Sequence, residues 1–146
     1  MNFVINDVKR MKNSHNYRTR IGKSSIHGKG VFSVVKIPAK RKIGTMGGNI
    51  IKESIANKKL KRLEVIKMVE LGDGKVLDGS VNGNELSHVN HSCSPNTYTR
   101  VIGNQVEFYS LRNIKSGEEL TCSYGESYHE GKKRCLCGTE NCKGYL

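Results

Sequence analysis

The apolar residues of this chain fall in short clusters separated by turn-forming residues, the pattern of short strands joined by tight turns. Polar and apolar positions alternate weakly over residues 17 to 21, and residues 31 to 37 are apolar-rich, with Phe32, Val34 and Val35. Further short strands are expected near Ile43, over 49 to 51 and over 75 to 77. Residues 97 to 102 and 105 to 111 flank Gly103-Asn104 and read as a hairpin. Residues 38 to 42, Gly47-Gly48, Gly72-Asp73-Gly74, Asn82-Gly83 and Ser116-Gly117 mark turns. Only residues 52 to 68 read as a helix. There Ile55, Leu60, Leu63 and Ile66 lie near helical spacing, while Lys58, Lys59, Lys61, Arg62 and Lys67 fall largely elsewhere. The expected fold is mainly β, with one short amphipathic helix.

Composition narrows this picture. At 146 residues the chain has room for one domain of ordinary size. Sixteen glycines against two prolines, with no tryptophan, favour strands and turns over a helical bundle. No apolar run is long enough for a membrane span, and the first eleven residues carry charges where a signal peptide needs an apolar core. The expectation is an intracellular protein without a membrane segment.

The net charge of +12 is unevenly spread. Residues 1 to 42 carry eleven Lys/Arg against one Asp, residues 43 to 84 seven against five, and residues 85 to 146 seven of each. A basic N-terminal block suits contact with DNA, a nucleosome or another polyanion, with a solvated charged face as the plainer alternative. The neutral C-terminal half suits a basic substrate.

Candidate chemistry centres on Asn90-His91-Ser92-Cys93-Ser94-Pro95-Asn96, whose mixture of amide, imidazole, thiol and proline fits an ordered functional loop. Ile26-His27-Gly28-Lys29-Gly30-Val31 permits a tight turn and a close backbone approach to a ligand. Of the five cysteines, Cys135, Cys137 and Cys142 are clustered at a spacing that suits zinc better than a disulfide framework. A structural zinc needs a fourth ligand, which comes from Cys93, Cys122 or a histidine; Cys93 is favoured because Pro95 constrains its loop.

Taken in order, these stretches resemble the SET-domain protein lysine methyltransferases that carry a cysteine-rich post-SET tail. The likeness runs from about residue 27 to residue 146. His27-Gly28-Lys29-Gly30 resembles the family's first cofactor loop. Val76-Leu77-Asp78-Gly79-Ser80, Gly83-Asn84 and Asn90-His91-Ser92-Cys93 with Pro95-Asn96 resemble its central motif. Gly117-Glu118-Glu119-Leu120-Thr121 with Tyr124 resembles its catalytic strand end, and Cys135-Leu136-Cys137 with Cys142 its zinc tail.

The resemblance implies small curved sheets closed by a C-terminal pseudoknot. It divides the chain into a basic arm over residues 1–16, a catalytic domain over 17–127 and a zinc tail over 128–146. It implies transfer of a methyl group from S-adenosylmethionine to a lysine of a protein, for example a histone, which would place the protein in the nucleus or on chromatin. Cofactor contacts would come from His27, Gly28, Lys29, Gly30, Asn90, His91, Tyr124 and Leu136. Tyr124 would be catalytic, and zinc would be held by Cys93, Cys135, Cys137 and Cys142. Tyr98 and Tyr109 are expected to pack in the core rather than line the lysine channel.

Several positions depart from the family pattern. Cys122 stands where an aromatic is frequent, Ser123 where Asp is, Ser87 and His88 where Arg and Phe are, and Thr45-Met46 where Glu-Tyr is. The first of these bears on how many methyl groups fit. The departures and the basic block also suit a second reading, a zinc-stabilised nucleic-acid or chromatin-binding module with little turnover.

Overall fold

A computed structural model of the chain describes residues 15–62, 66–125 and 131–146. In chain order its strands are β1 (Thr19–Lys23), β2 (Lys29–Ser33), β3 (Lys42–Thr45), β4 (Asn49–Lys52), β5 (Met68–Gly72), β6 (Lys75–Asp78), β7 (Asn90–His91), β8 (Thr97–Ile102), β9 (Gln105–Ser110) and β10 (Glu119–Cys122). They form three small sheets, ordered β1-β2-β10-β7, β3-β9-β8 and β4-β6-β5. The mainly β expectation holds. The tail of residues 131–146 forms no strand and is closed by a bridge between Arg134 and Tyr145.

Each sheet turns one face to a common core of Val31, Ile37, Ile43, Leu77, Leu86, Val106, Phe108, Ile114 and Leu120. The alternation of strand side chains explains this selection. In β9, Val106 and Phe108 point inward with Ser110, whereas Tyr109 is half-buried on the other face. Ile37 bridges to Ile114, joining the loop after β2 to the loop after β9.

The helix α1 (Glu53–Leu60) is shorter than the sequence pattern suggests. Met68 already pairs with Asp78 in the sheet, and Gly79 donates its N–H to Lys67 O, so the chain must leave the helix well before residue 68. Ala56 is the residue α1 buries fully, while Ile55 is exposed and Ile66 is not helical. Leu63 lies outside the described residues. A second small cluster of Ala56, Met68 and Val76 seats the helix on the β4-β6-β5 sheet. The exposed Lys59 ammonium reaches down to the buried Asp78 carboxylate at 2.8 Å, and Asp78 also accepts from Ser80.

β10 is the unusual strand. It is antiparallel to β2 through Leu120↔Val31 and parallel to β7 through Thr121↔Asn90 and Cys122↔His91. A C-terminal strand thus enters between an early hairpin and the central loop, the insertion on which the expected pseudoknot depends. The loop holds it from the side as well. Asn96 accepts from Thr121 N–H at 2.8 Å and donates to Glu119 O at 2.8 Å, Thr97 Oγ1 donates to Thr121 O at 2.7 Å, and Ser92 N–H donates to Cys122 O.

Asn96 therefore occupies the place of a strand partner. Its replacement by Ala removes the partner of the buried Thr121 N–H and of the partly buried Glu119 C=O. We predict that Asn96→Ala lowers unfolding stability by about 2–4 kcal/mol. Urea titration followed by circular dichroism measures this, and a loss under about 0.5 kcal/mol contradicts it.

Candidate functional site

The four cysteines singled out in the sequence meet. The Sγ atoms of Cys93, Cys135, Cys137 and Cys142 all lie within 4.8 Å of one another, and Cys93 and Cys135 are 3.9 Å apart. Tetrahedral zinc with bonds of about 2.3 Å needs sulfur pairs about 3.8 Å apart, so this donor set fits the metal. Polar hydrogens point at the sulfurs. Lys143 N–H faces Cys93 Sγ and Gly144 N–H faces Cys142 Sγ, each at 3.4 Å, and Thr139 Oγ1 lies 3.1 Å from Cys137 Sγ.

Such partners favour thiolates. Burial pushes the Cys135 thiol up to about 12, while Cys137 lies at about 5 because hydrogen bonds, led by the Thr139 hydroxyl, outweigh burial. Asn141 Nδ2 donates to Cys93 O at 3.0 Å, a further tie between tail and central loop. Cys122 is elsewhere, in the core, where burial pushes its thiol up to about 12. It is not part of the cysteine cluster.

The residue before the loop's histidine joins the loop to the first hairpin. Asn90 Nδ2 lies 3.1 Å from His27 O, Lys29 O and Glu119 Oε1. Ser24 Oγ donates to the same Glu119 oxygen at 2.7 Å. A Cβ on Gly30 would collide with the Glu119 carboxylate and crowd Ser24 Cβ, so a larger residue there would displace Glu119 from its contacts with Ser24 and Asn90. Gly28, at φ 44, makes the tight turn that returns the chain into β2.

His91 is shared between two neighbours. Its Nδ1 accepts from Tyr124 N–H at 3.0 Å, so the neutral ring carries its proton on Nε2, which faces Cys93 Sγ at 3.4 Å. Burial, and then Lys143, lower its proton affinity and favour that neutral ring. The Tyr124 ring packs against His91, with centroids 5.3 Å apart, and its hydroxyl donates to Val89 O at 2.9 Å. Burial holds the Tyr124 phenol well above its usual range. With its proton engaged, the oxygen offers lone pairs to a donor.

These groups line one cleft. His27, Asn90, His91, Tyr124, Cys135 and Leu136 contribute to it, so most of the cofactor residues expected from the sequence come together. Gly28, Lys29 and Gly30 do not line it. Asn90 holds the Lys29 carbonyl, and the charge of Lys29 acts on Lys67 and His88. Leu136 is 53% exposed, an apolar side chain at the mouth of the cleft between two cysteines of the cluster.

Tyr98 and Tyr109 lie apart from the cleft and stack on each other, half-buried on the outer face of the hairpin sheet rather than within the core. The sequence assigns no site role to Glu119, although it stands inside a quoted motif, nor to Lys133, Arg134 and Leu146, which line the cleft with Ile26 and Ile66. Ile26 stands in the sequence only as part of the first glycine turn and Ile66 as part of the expected helix, and only the tertiary fold brings these five residues to the cleft.

Comparison with known proteins agrees with this geometry. A family model described as SET domain matches residues 28–125. The chain is 30% identical over 140 residues to histone-lysine N-methyltransferase trithorax of Drosophila virilis, covering 89% of this chain and 4% of that protein. It is 34% identical over 133 residues to histone-lysine N-methyltransferase SETD1B of Homo sapiens, covering 85% and 7%. The corresponding values for histone-lysine N-methyltransferase set-2 of Caenorhabditis elegans are 31% over 153 aligned positions, 99% and 10%. The chain thus spans a tenth or less of the length of these relatives.

The cysteine cluster generates a direct prediction. Purified protein should carry about one zinc per chain, and Cys93→Ser should lose most of it, whereas Cys122→Ser should keep it. Elemental analysis after gel filtration reads both. Retention of zinc by Cys93→Ser together with loss in Cys122→Ser would reverse the ligand assignment.

Proposed function

Because this chain belongs to the SET-domain family, we propose that it is a protein-lysine N-methyltransferase that uses S-adenosylmethionine and acts on a basic protein such as a histone. The observation that carries this reading is the convergence of Tyr124, Asn90, His91 and Leu136 on one cleft beside a four-cysteine cluster. A histone substrate would place the protein on chromatin. Among the described residues no helix is long and apolar enough to cross a membrane.

S-adenosylmethionine, when bound, supplies a methyl group activated by a sulfonium. Asn90, His27 and the backbone behind them would hold its polar end, and Leu136 would cover its flat apolar end. Cys93, Cys135, Cys137 and Cys142 would hold zinc, whose part is structural: it fastens Leu136 and the tail onto the central loop. Residues 17–127 would form the catalytic unit and residues 128–146 the zinc tail, with the boundary falling among residues outside the described set.

Transfer needs a neutral amine aligned with the methyl carbon, and a lysine in water is almost wholly protonated at neutral pH. Desolvation in the cleft and a neighbouring positive sulfur both lower the lysine pKa, so a strong side-chain base is not required. Alignment is then the main task. The Tyr124 hydroxyl donates to Val89 O, which leaves its oxygen lone pairs free to meet an amine N–H or a polarised methyl. His91 fixes the Tyr124 backbone at the same point. Met46 and Cys122 stand in the apolar cluster against which Tyr124 packs, where the family often has aromatics.

Two measurements test this reading. Tyr124→Phe should lower transfer to histone peptides by about 100-fold or more while cofactor binding, read by calorimetry, stays within about threefold. Wild-type transfer with zinc and cofactor bound but absent on every histone tested would remove the proposal and favour the binding-module reading.

The raised pKa of Tyr124 keeps its phenol protonated throughout pH 7–10, so the substrate lysine alone should govern the profile. The single-turnover rate should climb about tenfold per pH unit until the lysine is neutral and then level off. A fall between pH 8 and 10 would show that Tyr124 ionises there.

A further inference from the structure

The outer face of the β3-β9-β8 sheet carries a row of four side chains that the catalytic reading does not use. Tyr98 and Tyr109, paired across the strands, stack with centroids 5.4 Å apart. The Lys40 ammonium lies 5.6 Å from the Tyr98 centroid and the Arg100 guanidinium 5.5 Å from that of Tyr109. Lys42, opposite Tyr109 in the register, and the exposed Arg41 stand beside this row. Among the described residues the face holds one carboxylate, Glu107, which accepts from Lys42 at 3.0 Å and from the Tyr109 hydroxyl. Among the described residues Lys40 and Arg41 have no ion-pair partner, and Arg100, opposite Glu107 in the register, acts on that carboxylate without a direct ion-pair contact.

The cations are fixed in place. Lys40 has a left-handed backbone, φ 60, and donates its N–H to Ser110 O at 2.9 Å, while Arg41 N–H donates to Ser110 Oγ at 2.9 Å. A non-glycine residue in that conformation is held there by the turn around it. The aromatic rings then hold the charged ends, which lowers the entropy lost when they meet an anion. The turn lies within the basic first 42 residues, so it also gives part of that charge an ordered location.

We propose that this face binds the phosphate backbone of double-stranded DNA without reading its sequence. Charge complementarity selects a polyanion. The ring faces select the duplex: they are engaged by each other and by cations, so unpaired bases find no free platform for stacking. None of these residues lines the cleft, so a duplex held here leaves the catalytic face open to a basic tail nearby. The interaction is independent of methyl transfer.

Anisotropy titration of the full chain into a labelled duplex of about 25 base pairs, over a salt series, tests the proposal. The variant Lys40→Asn/Arg100→Gln removes two charges, and asparagine tolerates the left-handed turn. The affinity should fall about tenfold or more, and the slope of log affinity against log salt should become shallower by about 2. Arg100→Glu alone, away from the turn, should also weaken binding. Transfer to a short free peptide should be unchanged in both variants. Duplex affinity equal to wild type in both variants overturns the proposal. So does tighter binding of single strands than of duplex, or a loss confined to acidic peptides.

Discussion

A single buried amide fixes the relation between the two ends of this fold. Asn96, only 3% exposed, takes the N–H of Thr121 and gives its own to Glu119 O, so that β10 is held on its flank by a side chain acting as a short length of strand. A buried backbone group left unpaired costs about 1–3 kcal/mol, which makes alternative paths for the C-terminal segment expensive. The consequence is positional. Tyr124 follows β10 by two residues and therefore emerges beside the central loop at a defined place.

The same loop links that tyrosine to the cysteine cluster. Cys93 contributes a sulfur, His91 stands between that sulfur and the Tyr124 N–H, and Asn90 carries the restraint on to the turn at residues 27–29. Seven consecutive residues thus fasten four parts of the chain: first hairpin, last strand, tyrosine and tail. Loss of the metal would not remove a chemical group from the cleft. It would release the tail that carries Leu136, and with it one wall.

Much of this was legible in the sequence, because the informative residues are chemically unusual. Thiols at close spacing, a Pro-Asn after a Cys, and glycines flanking a lysine each restrict the local options, and their order resembles one family. The hairpin at Gly103-Asn104 was legible from its turn chemistry. The helix was not legible in its extent. Ile66 continues a helical period and Met68 closes the expected helix, but Met68 is claimed by strand pairing and Ile66 by the cleft, so tertiary contacts override the local pattern.

The early strands were displaced by a few residues for a similar reason. Lys29 and Gly30 belong to β2, because the turn closes earlier, at Gly28. Roles within the loop were legible only in part. His91 lines the cleft, as the sequence leads one to expect of a cofactor residue, and its two ring nitrogens are also directed at Tyr124 N–H and Cys93 Sγ, which no spacing rule can reveal.

The account stands or falls on whether the aligned tyrosine and the metal-fastened cleft methylate lysine. Intact-mass analysis of histones incubated with the zinc-loaded protein and S-adenosylmethionine measures this most directly. The account predicts whole-methyl mass increments that map to lysine by fragmentation and that vanish when the zinc is removed. Increments on no histone, or increments that map to residues other than lysine, would contradict it.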